Sequence, residues 1–341
     1  MLLRALDRLR NTGLQGAPRL IGSALELVRR GLPQYDVIHA QFGPYGILAA
    51  ELVKVGALRG PIVTSFRGYD AGKDLQARLP EYRELFRRGS LFLPVSHSLA
   101  KRLVSAGCDP DRIQVHHSGI SVATLSRSPR RVVSSQGVKL ITVGRLVEKK
   151  GVRYAVEAFA RALKQGRRLQ YLIVGDGPQR AELEALAGQL GVKNSITFTG
   201  WRPHDEALAL LADADILIVP SVTAADGDEE GIPNVAKEAM ALGLPVVATR
   251  HGGIPELVED GVSGVLAPER DSSALAERLI ELIDHPERWA EMGEAGRRRI
   301  GAEYDIERLN DELVALYRGL SGSRDTAAPG AAQLASGGAA G

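Results

Sequence analysis

Two glutamates, Glu230 and Glu238, stand eight residues apart in the run DEEGIPNVAKEAM and straddle a Gly-Ile-Pro helix entry. The pair suits a sugar nucleotide, with one carboxylate beside the hexose and the other facing ribose hydroxyls, because an ionised carboxylate is purely an acceptor. Pro233 has the φ favoured at a first helical position, Val235, Ala236, Ala239, Met240 and Leu242 supply an apolar face, and Gly243 stops the helix. Glu230 is therefore expected just outside this helix and Glu238 within it. Each alone has a plainer reading: a complement to the helix dipole, or a solvated surface charge.

Cations come from the run GRLVEKKG, residues 144 to 151, after the apolar stretch VKLITV. Arg145 and Lys150 at a strand-to-helix turn, beside unpaired helix N–H groups, make an anion site suited to a diphosphate. Three more turns follow apolar runs. VGDGP, from Val174, is no dinucleotide fingerprint, because Arg180 occupies the place of its third glycine. Nicotinamide chemistry thereby loses its main support, and Gly175 and Gly177 read as residues for a tight turn. TGWRP offers Gly200, Arg202 and the aromatic Trp201 near where a base would lie, with Trp201 equally readable as a rim residue. In HGGIPE the glycines let backbone N–H groups near Gly253 and Ile254 approach an anion. The string Asp226-Gly227-Asp228-Glu229-Glu230 invites a metal, but it lacks the spacing of a calcium loop and is expected as a mobile loop at the substrate's edge. No metal is assigned.

Short β-branched runs alternate with amphipathic stretches, which is the pattern of parallel βα units. Strands are predicted at 36 to 40, 62 to 66, 91 to 95 and 113 to 116, and again at 139 to 143, 170 to 174, 195 to 199, 216 to 219, 246 to 249 and 264 to 266. A Pro/Ser/Gly-marked stretch, 126 to 137, reads as a linker between a first domain (1–130) and a second (131–320). The result is an α/β fold of two Rossmann-like domains, whose ligands bind beyond the carboxyl ends of the strands. The Gly/Ala-rich tail, 321–341, is expected to be disordered.

The chain has 341 residues, 44% hydrophobic and 25% charged, enough for two such domains with sizeable cores. No apolar run approaches the ~20 residues of a membrane span, and the opening MLLRALDRLRNTG reads as an amphipathic helix, not a secretory signal, so a cytoplasmic protein is expected. The single Cys108 excludes an intramolecular disulfide. Up to residue 135 there are twenty Lys and Arg against ten Asp and Glu, and beyond it 23 against 31, so a basic half precedes an acidic one. Arg4, Arg8, Arg10, Arg19, Arg29 and Arg30, then Arg87 and Arg88, suit the anionic inner membrane surface or a lipid-linked phosphate; a solvated basic face is the alternative. Neither zinc-finger spacing nor aromatic-interleaved basic strands are present, so nucleic acid is not an expected partner.

GRLVEKKG, VGDGP, ADADILIVPS, the Glu230 to Glu238 spacing and HGGIPELVEDGVSG together resemble the donor domain of retaining glycosyltransferases of family 4, which have the GT-B fold. HAQFGPYGILAAEL, FRRGSLFLPVS and PSVTAADGDEEGIPNVAKEAMALGLPVV resemble the exopolysaccharide transferases of the colanic acid and amylovoran type. The resemblance implies two domains facing a cleft, with Arg145 and Lys150 on the donor diphosphate, Glu230 on the transferred sugar, Glu238 on the ribose and backbone groups near Gly253 and Ile254 assisting. It implies a UDP- or GDP-linked sugar as donor, no further cofactor, no metal, a lipid-linked saccharide acceptor, and transfer with retained anomeric configuration. Two departures stand out. The opening strand and Gly-rich loop usual in the family are not found, so the first domain is expected to be incomplete, and Arg67 stands where many relatives carry His. Arg67 is a donor-side candidate, reading a carboxylated sugar, or else a subgroup variation with no donor meaning; Asp70 and Ser96 are weaker cleft candidates, and His97, His116 and His117 read as structural. Rival readings are a form that binds nucleotide without transfer and a sugar-nucleotide epimerase.

Overall fold

The computed structural model describes residues 34–125 and 137–322. The basic opening segment, most of the linker and nearly all of the tail lie outside these residues.

Three parallel strands, β1 (Ile38–Ala40), β2 (Ile62–Phe66) and β3 (Leu91–Pro94), make the first sheet in chain order. Helices α1 (Gly43–Lys54), α2 (Lys73–Ala77), α3 (Leu79–Arg88) and α4 (His97–Ser105) surround it. Phe66, Tyr82, Leu85, Phe86, Phe92, Leu99 and Leu103 fill its core. Gly46 allows α1 to lie tight on β2, since a Cβ there would come within 2.6 Å of Thr64. The strand predicted at 113 to 116 is not formed as such. Its residues run beside β3 with alternate hydrogen bonds, Gln114 N–H to Phe92 O and His116 N–H to Pro94 O, and pair only as a bridge at Ile113.

The second sheet has six parallel strands: β4 (Val138–Val143), β5 (Leu169–Val174), β6 (Ile196–Gly200), β7 (Ile216–Val219), β8 (Val246–Thr249) and β9 (Val265–Ala267). Its helices are α5 (Val152–Lys164), α6 (Arg180–Gln189), α7 (His204–Ala212), α8 (Asn234–Ala241), α9 (Ile254–Leu257), α10 (Ser272–Asp284), α11 (Trp289–Glu303) and α12 (Ile306–Gly322). Alternation sorts the strand side chains into two layers. Ile216 and Ile218 pack with Phe159 of α5 and Leu279 of α10, while Leu217 and Val219 pack with Ala236 and Met240 of α8.

The strand order is β6-β5-β4-β7-β8-β9. It reverses between β4 and β7, and loops that leave such a reversal in opposite directions open a crevice at the carboxyl edge. The turn carrying Arg145 and Lys150 follows β4, and the loop carrying Glu230 follows β7. Helix α8 begins at Asn234, so Pro233 is the residue before the first turn and not its first member, while Gly243, at φ +79°, follows the helix as a left-handed stop.

Helix α12 returns to the first sheet: Ile306 N–H donates to Ile120 O (3.0 Å), His116 Nε2 bonds Leu309 O (2.9 Å) and Tyr317 meets His39. A division of the chain at residue 131 does not capture this crossing. No helix among the described residues is long and apolar enough to cross a membrane.

Candidate active site

Glycines press the strand ends of the second sheet together. Gly151, at φ +62°, enters α5 so close to β7 that a Cβ would sit 1.9 Å from Pro220 O, and Gly175 approaches Gly144 O equally closely. The turn after β4 is thereby pinned over the reversal point. Arg145 and Lys150 line one hollow there with Gly144, Ser221 and Val235. Arg145 is exposed and makes no ion pair among the described residues, whereas Lys150 Nζ lies 3.0 Å from Glu230 Oε2. Lys149, unassigned by sequence reasoning, reaches Glu230 Oε1 at 3.4 Å and Asp228 at 3.0 Å. Burial pushes the Glu230 carboxyl up, but the charges and hydrogen bonds of Lys150 and Lys149 outweigh it and hold the group below the ordinary glutamate value. The cationic turn and Glu230 thus meet in one place.

A buried imidazole fixes the main chain at Glu230. His251 accepts the Glu230 N–H at Nε2 (3.1 Å) and bonds Glu269 Oε1 through Nδ1 (2.9 Å), which sets the tautomer with the proton on Nδ1. Glu269 also accepts the Thr223 N–H (2.9 Å), so one carboxylate ties both ends of the loop. The neighbouring glycines serve the same clamp. A Cβ on Gly252 would lie 2.4 Å from Glu230 O, the Gly253 N–H donates to Gly231 O (2.9 Å) and the Ile254 N–H to His251 O (2.9 Å). The Gly253 amide thus bonds the Glu230 loop, and the Ile254 amide closes its own turn on His251.

Each carboxylate of the acidic string meets a cation. Asp226 pairs with Lys73 (2.7 Å), Asp228 with Lys149, Glu229 with Arg102 and Glu230 with Lys150, four carboxylates turned to four cations. Lys73 and Arg102 belong to the first sheet's helices, so the loop is wedged between the two sheets. Glu229 is buried and its carboxyl is raised by that burial, with Arg102 opposing. Backbones touch as well: Cβ atoms on Gly231 and Gly68 would meet Arg67 O at 2.7 Å and Glu229 O at 3.1 Å. Glu256 crosses the same gap and caps α4, accepting the N–H groups of His97 (2.7 Å) and Ser98 (2.8 Å).

Glu238 lies further along, on α8, 3.9 Å from His204 Nε2, and burial raises its carboxyl, with His204 and Lys237 opposing. His204 opens α7 just after the turn of Gly200, Trp201 and Arg202, so that turn and Glu238 share one end of the crevice. Arg202 pairs with Glu206 (3.7 Å), Trp201 is 72% exposed, and Gly200 O accepts from Gly175 N–H. Lys237, beside Glu238, is fully buried, donates to Ser118 O and Oγ, and is pushed down by burial to about 7.

Arg67 faces the site from the first sheet. Its guanidinium donates to Gln41 Oε1 (2.5 Å) and lies 5.8 Å from the centre of the Phe42 ring. Asp70, fully buried, accepts the N–H groups of Gly43 (3.0 Å), Arg67 (2.9 Å) and Gly68 (3.0 Å), a structural task. Ser96 caps α4 through Leu99 N–H. His116 and His117 bond backbone carbonyls. His39, unremarked in sequence, bonds Ser65 Oγ (2.8 Å) and is pushed down to about 4 by burial and by Arg67 and His116.

Comparison with known proteins adds the family. The description "Glycosyl transferases group 1" matches residues 129–299, and "Glycosyltransferase Family 4" matches residues 3–124. A glycosyltransferase of Salmonella typhimurium named for colanic acid biosynthesis, WcaL, is 44% identical over 83% of this chain and 70% of its own length. The amylovoran biosynthesis glycosyltransferase AmsK of Erwinia amylovora is 39% identical over 72% of this chain and 61% of its own. Among solved structures, HepE of Anabaena in complex with UDP superposes with a TM-score of 0.76 at 24% identity, covering 89% of this chain and 84% of that one. That last likeness establishes the two-domain fold.

Proposed function

The chain belongs to the group 1 glycosyl transferases, and from that premise we propose that it moves a hexose from a UDP- or GDP-linked donor to a saccharide acceptor in exopolysaccharide assembly. The observation that carries the reading is the meeting of Lys150 with Glu230 at the strand-order reversal, beside the exposed Arg145. Arg145 and Lys150 would take the diphosphate, and Glu238 the ribose hydroxyls. Glu230 would hold the hexose from the loop that His251 and Glu269 clamp.

In the reaction the anomeric C–O bond to the diphosphate breaks and a bond to an acceptor hydroxyl oxygen forms on the same face. The hydroxyl proton passes to the departing phosphate oxygen, so charge and atoms balance without a covalent enzyme adduct. Negative charge grows on the leaving nucleotide, where fixed cations are most effective. Positive charge grows on the sugar ring, and the ionised Glu230 stands to stabilise it. With Arg145 and Lys150 balancing the diphosphate, the chemistry is read as metal-independent, with no cofactor beyond the donor. The excess of basic residues up to residue 135 supports reading the acceptor as a lipid-linked saccharide at the inner membrane surface, with the protein cytoplasmic and peripheral.

The test incubates the full chain with UDP- and GDP-hexoses and lipid-linked saccharides, and follows both acceptor extension and nucleotide release. Extension of an acceptor is expected. Absence of both products overturns the proposal, and a donor recovered with an inverted hydroxyl assigns an epimerase instead.

A further inference from the structure

An aromatic patch lies on the first sheet's side, where the Gly68 turn meets the loop that carries Glu230. It occupies the first turn of α1 and the turn after β2, at the carboxyl ends of β1 and β2, where ligands of parallel sheets bind. Tyr45 is 61% exposed and Tyr69 42%, and Phe42 lies between them, with ring centres 6.5 Å and 5.9 Å away at tilts of 59° and 36°. Through Phe42 the two exposed tyrosines form one continuous aromatic surface, unlike singly scattered surface rings. Hydrogen-bonding groups rim this one. The Arg67 guanidinium lies against Phe42 and is held by Gln41, with donors left over for a ligand.

The patch is assembled in advance. Buried Asp70 gathers the N–H groups of Gly43, Arg67 and Gly68 onto one carboxylate, which locks the first turn of α1, with Phe42 and Tyr45, to the Arg67–Tyr69 turn. The latter turn also touches the donor-side loop directly, through Gly68 against Glu229 O and Arg67 O against Gly231. Whatever rests on the rings therefore lies beside the loop that carries Glu230.

We propose that Phe42, Tyr45 and Tyr69 form a stacking subsite for a pyranose ring of the acceptor saccharide, with Arg67 and Gln41 bonding its oxygens. A pyranose presents a face of C–H groups and an edge of hydroxyls, which matches an aromatic surface rimmed by a guanidinium and an amide. Such a ring is a neutral hexose or a uronate. Both share the apolar face, and the carboxylate of the uronate would gain most from Arg67. The assignment rests on the transferase reading for its place in the reaction, but the sugar contact itself stands on the patch.

The experiment offers the full chain, with and without UDP or GDP, four probes: the methyl pyranosides of glucose, galactose, mannose and glucuronate. Saturation-transfer NMR reads which ring protons touch the protein, and titration gives the affinity. Contact through one C–H face is expected. Tyr45→Ala/Tyr69→Ala should weaken it on the order of tenfold, while Tyr45→Phe/Tyr69→Phe keeps it and nucleotide affinity stays unchanged in both. Preference for the glucuronide that disappears in Arg67→Gln identifies a uronate, and tighter binding of a neutral pyranoside than of the glucuronide identifies a neutral ring. The proposal is overturned if the native chain contacts none of the four or if the alanine pair leaves the contact intact. It is also overturned if that pair instead abolishes sedimentation with phosphatidylglycerol vesicles while sugar contact persists. Failure of the transferase reading looks different: UDP and GDP do not bind, yet the sugar contact remains.

Discussion

Glu230 and Glu238 are the same residue type, one helix entry apart, and the fold treats them oppositely. Glu230 sits on a clamped loop with two lysines at its oxygens and is held below the ordinary glutamate range. Glu238 sits on a regular helix with His204 at 3.9 Å, and burial raises it. The difference teaches that spacing places carboxylates, while their neighbours decide what they do: the two lysines favour the charged form of Glu230, and burial disfavours that of Glu238.

That contrast can be broken at its strong end first. Glu230→Gln is expected to lower kcat/KM roughly 100-fold or more, the size of losing one electrostatic contact to developing charge, with nucleotide affinity kept; loss of affinity without loss of turnover would reverse the assignment. Lys150→Ala should weaken UDP or GDP binding by ~1.5 to 3 kcal/mol, read by calorimetry. His251→Ala leaves the Glu230 N–H and the Glu269 carboxylate without their partner, so stability should fall by ~1 to 3 kcal/mol in denaturant titrations. Turnover should fall with it while nucleotide affinity holds, because the clamp positions only the Glu230 end. The smallest effect separates the two glutamates by pH. Glu238 is raised, so it takes a proton earlier than an ordinary glutamate as pH falls, and nucleotide affinity should decline on the acid side by ~0.5 to 1.5 kcal/mol, the worth of one hydrogen bond. Glu238→Gln should flatten that limb, whereas Glu230, lowered, stays ionised across it.

Strands were the most legible part of the fold. Runs at 62 to 66, 216 to 219 and 246 to 249 coincide with β2, β7 and β8 because those strands are buried on both faces and bounded by turn residues. The run at 113 to 116 has a similar composition but follows only one edge of β3, so its pattern promised more pairing than it finds. In the site, Arg145, Lys150 and Glu230 were readable because strand-to-helix turns announce themselves in glycines and charges. The clamp was not. His251, Glu269 and the caps of α4 by Glu256 join residues 18 and 158 or more positions apart, and no local pattern encodes such a partner. The glycines of HGGIPE stand out in the sequence, but their packing on the Glu230 backbone does not, since close approach to a ligand and close approach to another backbone ask for the same residue. Lys149 was hidden by its neighbour: two adjacent lysines look interchangeable until a helix entry turns one inward.

The return of α12 to the first sheet has a mechanical result. The polypeptide passes between the two units twice, and the passages run side by side, because Ile120 donates to Tyr304 O and accepts from Ile306 N–H. That bridge and the ion pairs from the 226 to 230 loop to Lys73 and Arg102 tie the two units together at separate places along their boundary.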